Sequence, residues 1–288
     1  MQDQQLLIDR LNRSGRRLSK SHLRIAQYIA EHYDKAVFMT ALMLAKNCDV
    51  SESTVVRFAV VMGYDGYPEL QAALRELVRH RLTSVQRFDM ASGIGEEDVL
   101  QTVLKSDMRN IRMTVEEQSQ QDFKEVVQRI LSARHIYVMG LRSAAPLAQF
   151  MGHYLQLIFD EVRLVTNTSG DVFEDIARIG REDVLIGISF PRYSTRTLEC
   201  MRFARQMGAQ VIGITDGMMS PLCEAAHVCL RAHTDMASFV DSLAAPLSLI
   251  NALIVSLSLH RKEELGEHFE RLEGIWNAHR VYISREDE

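Results

Sequence analysis

The sequence predicts two folds in series, an all-α domain followed by an α/β domain built on a parallel sheet. Three observations predict this. Residues 5–80 carry only helical apolar spacing, with hydroxyl residues placed to cap the helix starts. From residue 135 onward, five short apolar runs alternate with helical segments, the pattern of parallel strands covered on both faces. Between these regions, residues 83–95 (TSVQRFDMASGIG) hold no strong period and two glycines, which reads as a linker. The expected domains are therefore 1–82 and 96–288, joined by that linker.

Each element has its own signal. QQLLIDRLNRSG, residues 4–15, is amphipathic and stops at Gly15. Ser19 and Ser21 are candidate caps for the next helix, with Leu23, Ile25, Ala26 and Ile29 as its apolar face. Thr40 and Ser51 can cap the two helices after that, and Pro68 suits the first residue of another. Helical patterning resumes over 96–118 and 122–133. The strands are expected at HIYVMG, EVRLVT, DVLIGIS, QVIGIT and HVCLRA.

Composition narrows the function classes. The 288 residues suffice for two ordinary domains, and 47% apolar with 25% charged residues is the balance of a globular protein. The net charge of −5 is unevenly spread: residues 1–88 hold 13 Lys/Arg against 9 Asp/Glu, and the remainder 20 against 29. A cationic front on an anionic body predicts an anionic partner for the front. Cys48, Cys200, Cys223 and Cys229 have no metal-ligand spacing, so free thiols and no metal are expected. The first 15 residues lack the apolar core of a signal peptide. The apolar run 243–259 is short for a membrane span and is interrupted by Pro246 and Asn251, so it reads as a buried helix. A cytoplasmic protein without membrane attachment is expected.

TALMLAKNCDVSESTVVRFAVVMG, residues 40–63, reads as two helices joined by a tight CDV turn. Leu42, Leu44 and Ala45 are expected to face inward from the first, and Val55, Phe58, Ala59 and Met62 from the second. Ser51, Glu52, Ser53, Thr54 and Arg57 then fall near the exposed N-terminal end of the second helix, where a recognition helix meets a duplex. Hydroxyls, backbone N–H groups and the positive helix end suit phosphate oxygens, and Arg57 suits guanine or phosphate. The DNA-binding candidates are Ser51, Ser53, Thr54 and Arg57; a plain helical hairpin with Ser51 and Thr54 as caps is the alternative.

Two loops carry anion chemistry. After HIYVMG, Gly140 permits a sharp turn, and Arg142 and Ser143 fall at the start of the next helix. The three-glycine spacing of a dinucleotide site is missing, so no nicotinamide or flavin cofactor is predicted. After DVLIGIS, the loop FPRYSTR supplies Arg192, Ser194 and Thr195 beside Ser189. Arg142, Ser143, Ser189, Arg192, Ser194 and Thr195 are the ligand-binding candidates, at neighbouring strand ends where such sheets bind ligands. Helix capping alone is the competing reading. Ser169, Gly170 and Asp171, and Ser238, Asp241 and Ser242, are turn or cap residues that could also reach the crevice.

Residues 5–80, centred on FMTALMLAKNCDVSESTVVRFAVVMGYDGYPELQAAL, resemble the N-terminal domain of RpiR-type bacterial transcription regulators, chiefly through VSESTVVRFA followed by GYPEL. The resemblance implies that Ser51, Ser53, Thr54 and Arg57 lie on the DNA-facing helix, with Tyr64 and Tyr67 structural. Residues 123–265 resemble the sugar isomerase (SIS) domain. That implies a five-stranded flavodoxin-like three-layer sandwich that dimerises and binds phosphorylated sugars, with Ser143 in the first phosphate loop. The common SIS pattern Ser-x-Ser-Gly-x-Thr reads SFPRYS here: Ser189 is retained, Pro191 and Arg192 replace Ser-Gly, and Ser194 stands for Thr. This departure suggests another anionic metabolite, clamped by Arg192. The expected function is a non-enzymatic DNA-binding regulator controlled by a phosphorylated sugar or related anionic carbohydrate, acting on a duplex operator as a dimer or tetramer. The alternative is a sugar-phosphate isomerase with a helical appendage. Glu199 would be its best base, but neither phosphate loop holds an acid or histidine suited to that role.

Overall fold

The computed structural model describes residues 18–37, 39–78, 83–89, 95–166, 171–236 and 240–282. The helix expected at 4–15, and Ser169, Gly170 and Ser238, lie outside them. The chain divides into two units, Met1–Gly95 and Glu96–Glu288.

The first unit is helical: α1 (Lys20–Glu31), α2 (Tyr33–Ala36), α3 (Ala41–Asn47), α4 (Glu52–Val61), α5 (Tyr67–Val78) and α6 (Ser84–Asp89). Ser19 caps α1, its hydroxyl accepting from the His22 N–H at 3.2 Å, so Ser21 lies inside the helix. Thr40 caps α3 in the same way. Ile25, Ala26, Ile29, Leu44, Ala45, Val55, Phe58 and Ala59 form the core. Leu23 and Leu42, expected inward, are 54% and 48% exposed. Each stands two positions before an inward pair, which on a 3.6-residue helix is the opposite face. Met62 is only half-buried. Pro68 is the second residue of α5, and Tyr67 precedes it, buried, its hydroxyl donating to the Met39 carbonyl at 2.7 Å. The 83–95 stretch differs from the linker expected there, because it contains α6, whose Arg87 is buried.

The second unit continues with α7 (Val99–Glu117), α8 (Gln120–Leu131), β1 (Ile136–Gly140), α9 (Ala145–Ile158), β2 (Val162–Val165), α10 (Val172–Asp175) and β3 (Val184–Ile188). Then follow α11 (Thr195–Gln206), β4 (Gln210–Thr215), α12 (Pro221–Ala225), β5 (Val228–Arg231), α13 (Ala244–His260) and α14 (Lys262–Ala278). All four strand pairings are parallel, in the order β2-β1-β3-β4-β5. Strand residues alternate between two cores. Ile136, Val138, Ile186, Ile212 and Leu230 pack with α8, α9 and α13, and Tyr137, Met139, Leu185 and Val211 pack with α11 and α12. This is a three-layer sandwich whose central strands are buried on both faces, which explains their unbroken apolar runs.

Just before the central strand β3, Asp183 is a fully buried carboxylate. It accepts from His135 Nδ1 and the Gly180 N–H at 2.8 Å and from Arg134 Nε at 3.3 Å. Burial alone would raise its pKa, but these bonds outweigh it and hold the carboxyl below its ordinary range.

Along the open edge of β5, α7 lies against the segment that continues the strand. Asn110 donates to the Asp235 carbonyl at 2.9 Å and accepts from the Asp235 N–H at 3.1 Å. Thr114 Oγ1 accepts from the His233 N–H at 2.9 Å, and Gln118 Oε1 from the Arg231 N–H at 3.3 Å. Side chains four apart on a helix thus serve backbone groups two apart on an extended chain. The two advances nearly match, at about 6 Å and about 6.6 Å. The helix does for this edge what a sixth strand would do.

The run 243–259 forms most of α13, but it is buried on one face only. Ala245, Leu249, Leu253 and Leu257 face the core, while Val255 and Leu259 are 56% and 65% exposed. Among the described residues no single helix is long and apolar enough to cross a membrane; α13 and α14 together reach that length but bend by 100°.

Candidate functional site

The turn between α3 and α4 is closed by the Val50 N–H to the Ala45 carbonyl at 3.0 Å and the Asp49 N–H to the Lys46 carbonyl at 3.3 Å. Asp49 takes the left-handed conformation this cap requires, with φ 51°. Gly63, φ 93°, closes α4 in the same way. The turn leaves Ser51, Glu52, Ser53 and Arg57 exposed and Thr54 partly so, while Val55, Phe58 and Ala59 anchor the other face. Ser51 is the N-cap by position, but its hydroxyl makes no capping bond to the backbone. Instead it meets the Ser53 hydroxyl at 3.0 Å and the Thr54 hydroxyl at 2.8 Å. The backbone N–H groups of this first turn therefore lack the cap that Ser19 and Thr40 give their helices, an opening suited to an anion. Arg57 Nε donates to the Ser53 carbonyl at 3.2 Å, which lays the guanidinium along the exposed face. His22 of α1 stands edge-on to Phe58, 5.8 Å between ring centroids. Burial, then the Arg57 charge, lowers its pKa. Sequence spacing missed Val56, 40% exposed on the same helix, an apolar group of the kind that meets a thymine methyl.

In the second unit, β1 and β3 are neighbours, and Gly140 pairs with Ile188 at their C-terminal ends. The loops carrying Arg142 and Ser143, and Ser189 to Thr195, thus leave the sheet side by side. This is the point where strand order reverses, the crevice position of an open parallel sheet. Gly140 is needed there: an added Cβ would stand 2.6 Å from the Ala144 carbonyl oxygen. Arg142 and Arg192 both adopt left-handed backbone, φ 56° and 68°. Non-glycine residues hold this conformation at a cost of about 1–2 kcal/mol. Two arginines doing so at adjacent strand ends is the kind of strain that collects at ligand sites.

The hydroxyls divide by role. Ser143 and Thr195 are exposed. Ser189 is 4% exposed, and its Oγ accepts from the Ser194 N–H at 3.0 Å, folding the loop back on the strand end. Ser194 caps α11, accepting from the Thr197 N–H at 3.3 Å. Ser189 and Ser194 are thus already engaged in shaping the loop, as the capping alternative expected, while Arg142, Ser143, Arg192 and Thr195 present its polar surface. Two residues were missed in the sequence. Tyr193 donates to Asp216 Oδ1 at 2.9 Å, tying this loop to the end of β4. Thr197, in the first turn of α11, is fully buried with its hydroxyl oxygen unpartnered. Its spacing of three from Ser194 was the available signal. Asp171 caps α10, accepting from the Phe173 N–H, and Ser242 donates to Asp107 Oδ1 at 2.6 Å, which ties it to α7.

The two units define a class: a helix-turn-helix domain joined in one chain to an α/β domain with a parallel five-stranded sheet. Residues 5–80 match the helix-turn-helix domain of the rpiR family, and residues 129–256 match the SIS domain. The chain belongs to the RpiR-type family of transcriptional regulators. It is 25% identical over 264 residues to the HTH-type transcriptional regulator HexR of Pseudomonas aeruginosa, covering 88% of this chain and 90% of that protein. The sugar isomerase domain of an RpiR transcription factor from Sphaerobacter thermophilus shares the fold at TM-score 0.59 and 22% identity, covering 61% of this chain and 98% of that one. The Vibrio vulnificus NanR protein, solved in complex with ManNAc-6P, does so at TM-score 0.57 and 19% identity, covering 95% and 98%. The relative's name as a regulator supports a non-enzymatic role.

Proposed function

We propose that this regulator binds an operator duplex through Ser51, Ser53, Thr54 and Arg57. A phosphorylated sugar or related anionic carbohydrate, bound between the loops after β1 and β3, sets its DNA affinity. The observation that carries the reading is the paired left-handed Arg142 and Arg192 at the adjacent strand ends. Arg142, Ser143, Arg192 and Thr195 contact the ligand, with Ser189 and Ser194 holding the loop in shape. A planar guanidinium in each loop suits two anionic oxygens better than a neutral hydroxyl does. An effector shifts DNA affinity only by its differential affinity for the DNA-competent and incompetent states, typically about 1–3 kcal/mol.

The acting species is a dimer. Leu104, Met108, Ile111 and Val115 form an exposed stripe on α7 at spacings of four, three and four, the repeat of a helix that pairs with another. Ile111 and Val115 also line a groove of about 300 Å³ against Leu249 of α13. A second copy that covered this stripe would take its apolar side chains out of water. Its two recognition helices would read half-sites about 34 Å apart.

A thermal-shift screen of sugar phosphates and sugar-acid phosphates tests the ligand site, because a ligand that binds only the folded chain raises its apparent stability. A specific shift in the wild type that Arg192→Ala and Arg142→Ala abolish supports the assignment. A shift that both variants retain places the ligand elsewhere.

A further inference from the structure

Four thiols are distributed unevenly. Cys48 and Cys200 are buried, whereas Cys223 and Cys229 are half-buried. Cys223 is the third residue of α12 and Cys229 the second of β5. The short connection between these elements brings the two sulfurs into hydrogen-bonding contact. Cys229 Sγ lies over β4, where an added Cβ on Gly213 would stand 2.4 Å from it and 3.7 Å from Leu222 Cβ. The sulfur therefore lies near α12, the helix that carries Cys223.

The pair is also chemically unequal. The hydrogen bond from Cys229 lowers the Cys223 pKa, burial opposes this, and the Arg231 charge adds to the lowering. Cys229 is raised, first by that same bond and then by burial. Cys200, pushed up to about 12 chiefly by burial, stays an inert thiol. Reactivity belongs to a thiolate within reach of solvent and a second thiol, the arrangement of Cys223.

We propose that Cys223 and Cys229 are a peroxide-modified pair that closes to a reversible disulfide. The Cys223 thiolate attacks a peroxide oxygen. The O–O bond breaks, and Cys223 becomes a sulfenic acid while the leaving oxygen departs as water after protonation. The Cys229 sulfur, losing its proton, then attacks the sulfenic sulfur, the S–O bond breaks and a second water leaves. Two thiols are oxidised and one peroxide is reduced to two waters; a dithiol reductant reverses the change.

The disulfide has a path to the ligand loop. Cys223 Sγ donates to the Gly217 carbonyl at 3.6 Å, and this loop begins with Asp216, the acceptor for Tyr193. Oxidation removes that S–H donor. This consequence rests on the ligand reading above, but the disulfide itself does not.

The test treats the full chain with hydrogen peroxide, alkylates it with iodoacetamide and digests it with trypsin. Cys223 and Cys229 share the peptide 206–231, with Cys48 and Cys200 on others as internal controls. The expected result is peptide 206–231 unalkylated and lighter by two hydrogens, restored by dithiothreitol, before either control cysteine changes. In Cys229→Ser, dimedone should trap a sulfenic acid on Cys223. The proposal is overturned if both cysteines stay alkylatable. It is equally overturned if Cys223 passes to the sulfinic acid without a crosslink, or if Cys48 or Cys200 reacts first.

Discussion

Replacing Asn110 by alanine tests the seam between α7 and the continuation of β5. Asn110 is fully buried, and its amide both donates to and accepts from the Asp235 backbone. Each such bond contributes about 1 kcal/mol net, and more where its loss leaves a buried group without a partner, so losing both costs about 2.5–3 kcal/mol. Alanine returns roughly 0.5 kcal/mol through its higher helix propensity. The net loss is then about 2 kcal/mol, which for a unit of this size lowers the melting temperature by about 4–8 °C. Thermal unfolding followed by circular dichroism measures it. Thr114→Val should couple with it, because Thr114 Oγ1 donates to the Asn110 carbonyl at 2.8 Å while accepting from His233. Their combined loss should then differ from the sum by about 0.5 kcal/mol or more. A melting temperature within about 1 °C of wild type, or strict additivity, would refute the reading of α7 as the seal on this edge.

Three further outcomes are expected. Arg57→Ala weakens binding to a selected duplex by about 1–3 kcal/mol and lowers the salt slope by about one unit, both read by fluorescence anisotropy across a salt series. Asp183→Asn destabilises the fold at neutral pH. The native carboxyl titrates below its unfolded value, so its contribution is complete above about pH 4 and is lost as pH falls through the native pKa. The variant should therefore show a shallower loss of stability on acidification in urea titrations. Arg192→Gly relieves left-handed backbone and should raise stability by about 1 kcal/mol while abolishing the thermal shift given by an effector.

Much of this architecture was legible because it follows from periodicity. Five apolar runs marked five strands, and Thr40 capped α3 as its position implied. What escaped depends on two segments meeting. Asn110, Thr114 and Gln118 look like a solvated helix face until the β5 extension lies beside them. The Tyr193–Asp216 bond joins residues 23 apart and carries no local signature. Leu42 shows the limit of counting apolar residues, since the phase of the helix places it outward. Arginine does not announce positive φ, so the strain at Arg142 was invisible, whereas at Arg192 the SIS pattern's glycine was a clue. Ser51 was placed correctly as N-cap, but its hydroxyl turned to its neighbours rather than to the backbone, a choice set by Ser53 and Thr54.

The central claim is that a small anion held between the β1 and β3 loops governs how tightly the α4 helix holds a duplex. Duplex affinity measured by fluorescence anisotropy, with and without each sugar phosphate that stabilises the chain, tests it most directly. The account predicts that at least one such compound changes the dissociation constant by about 5–150-fold and that Arg192→Ala removes the change while leaving basal affinity intact. Duplex binding that no stabilising compound alters, or a change that survives Arg192→Ala and Arg142→Ala, would contradict it.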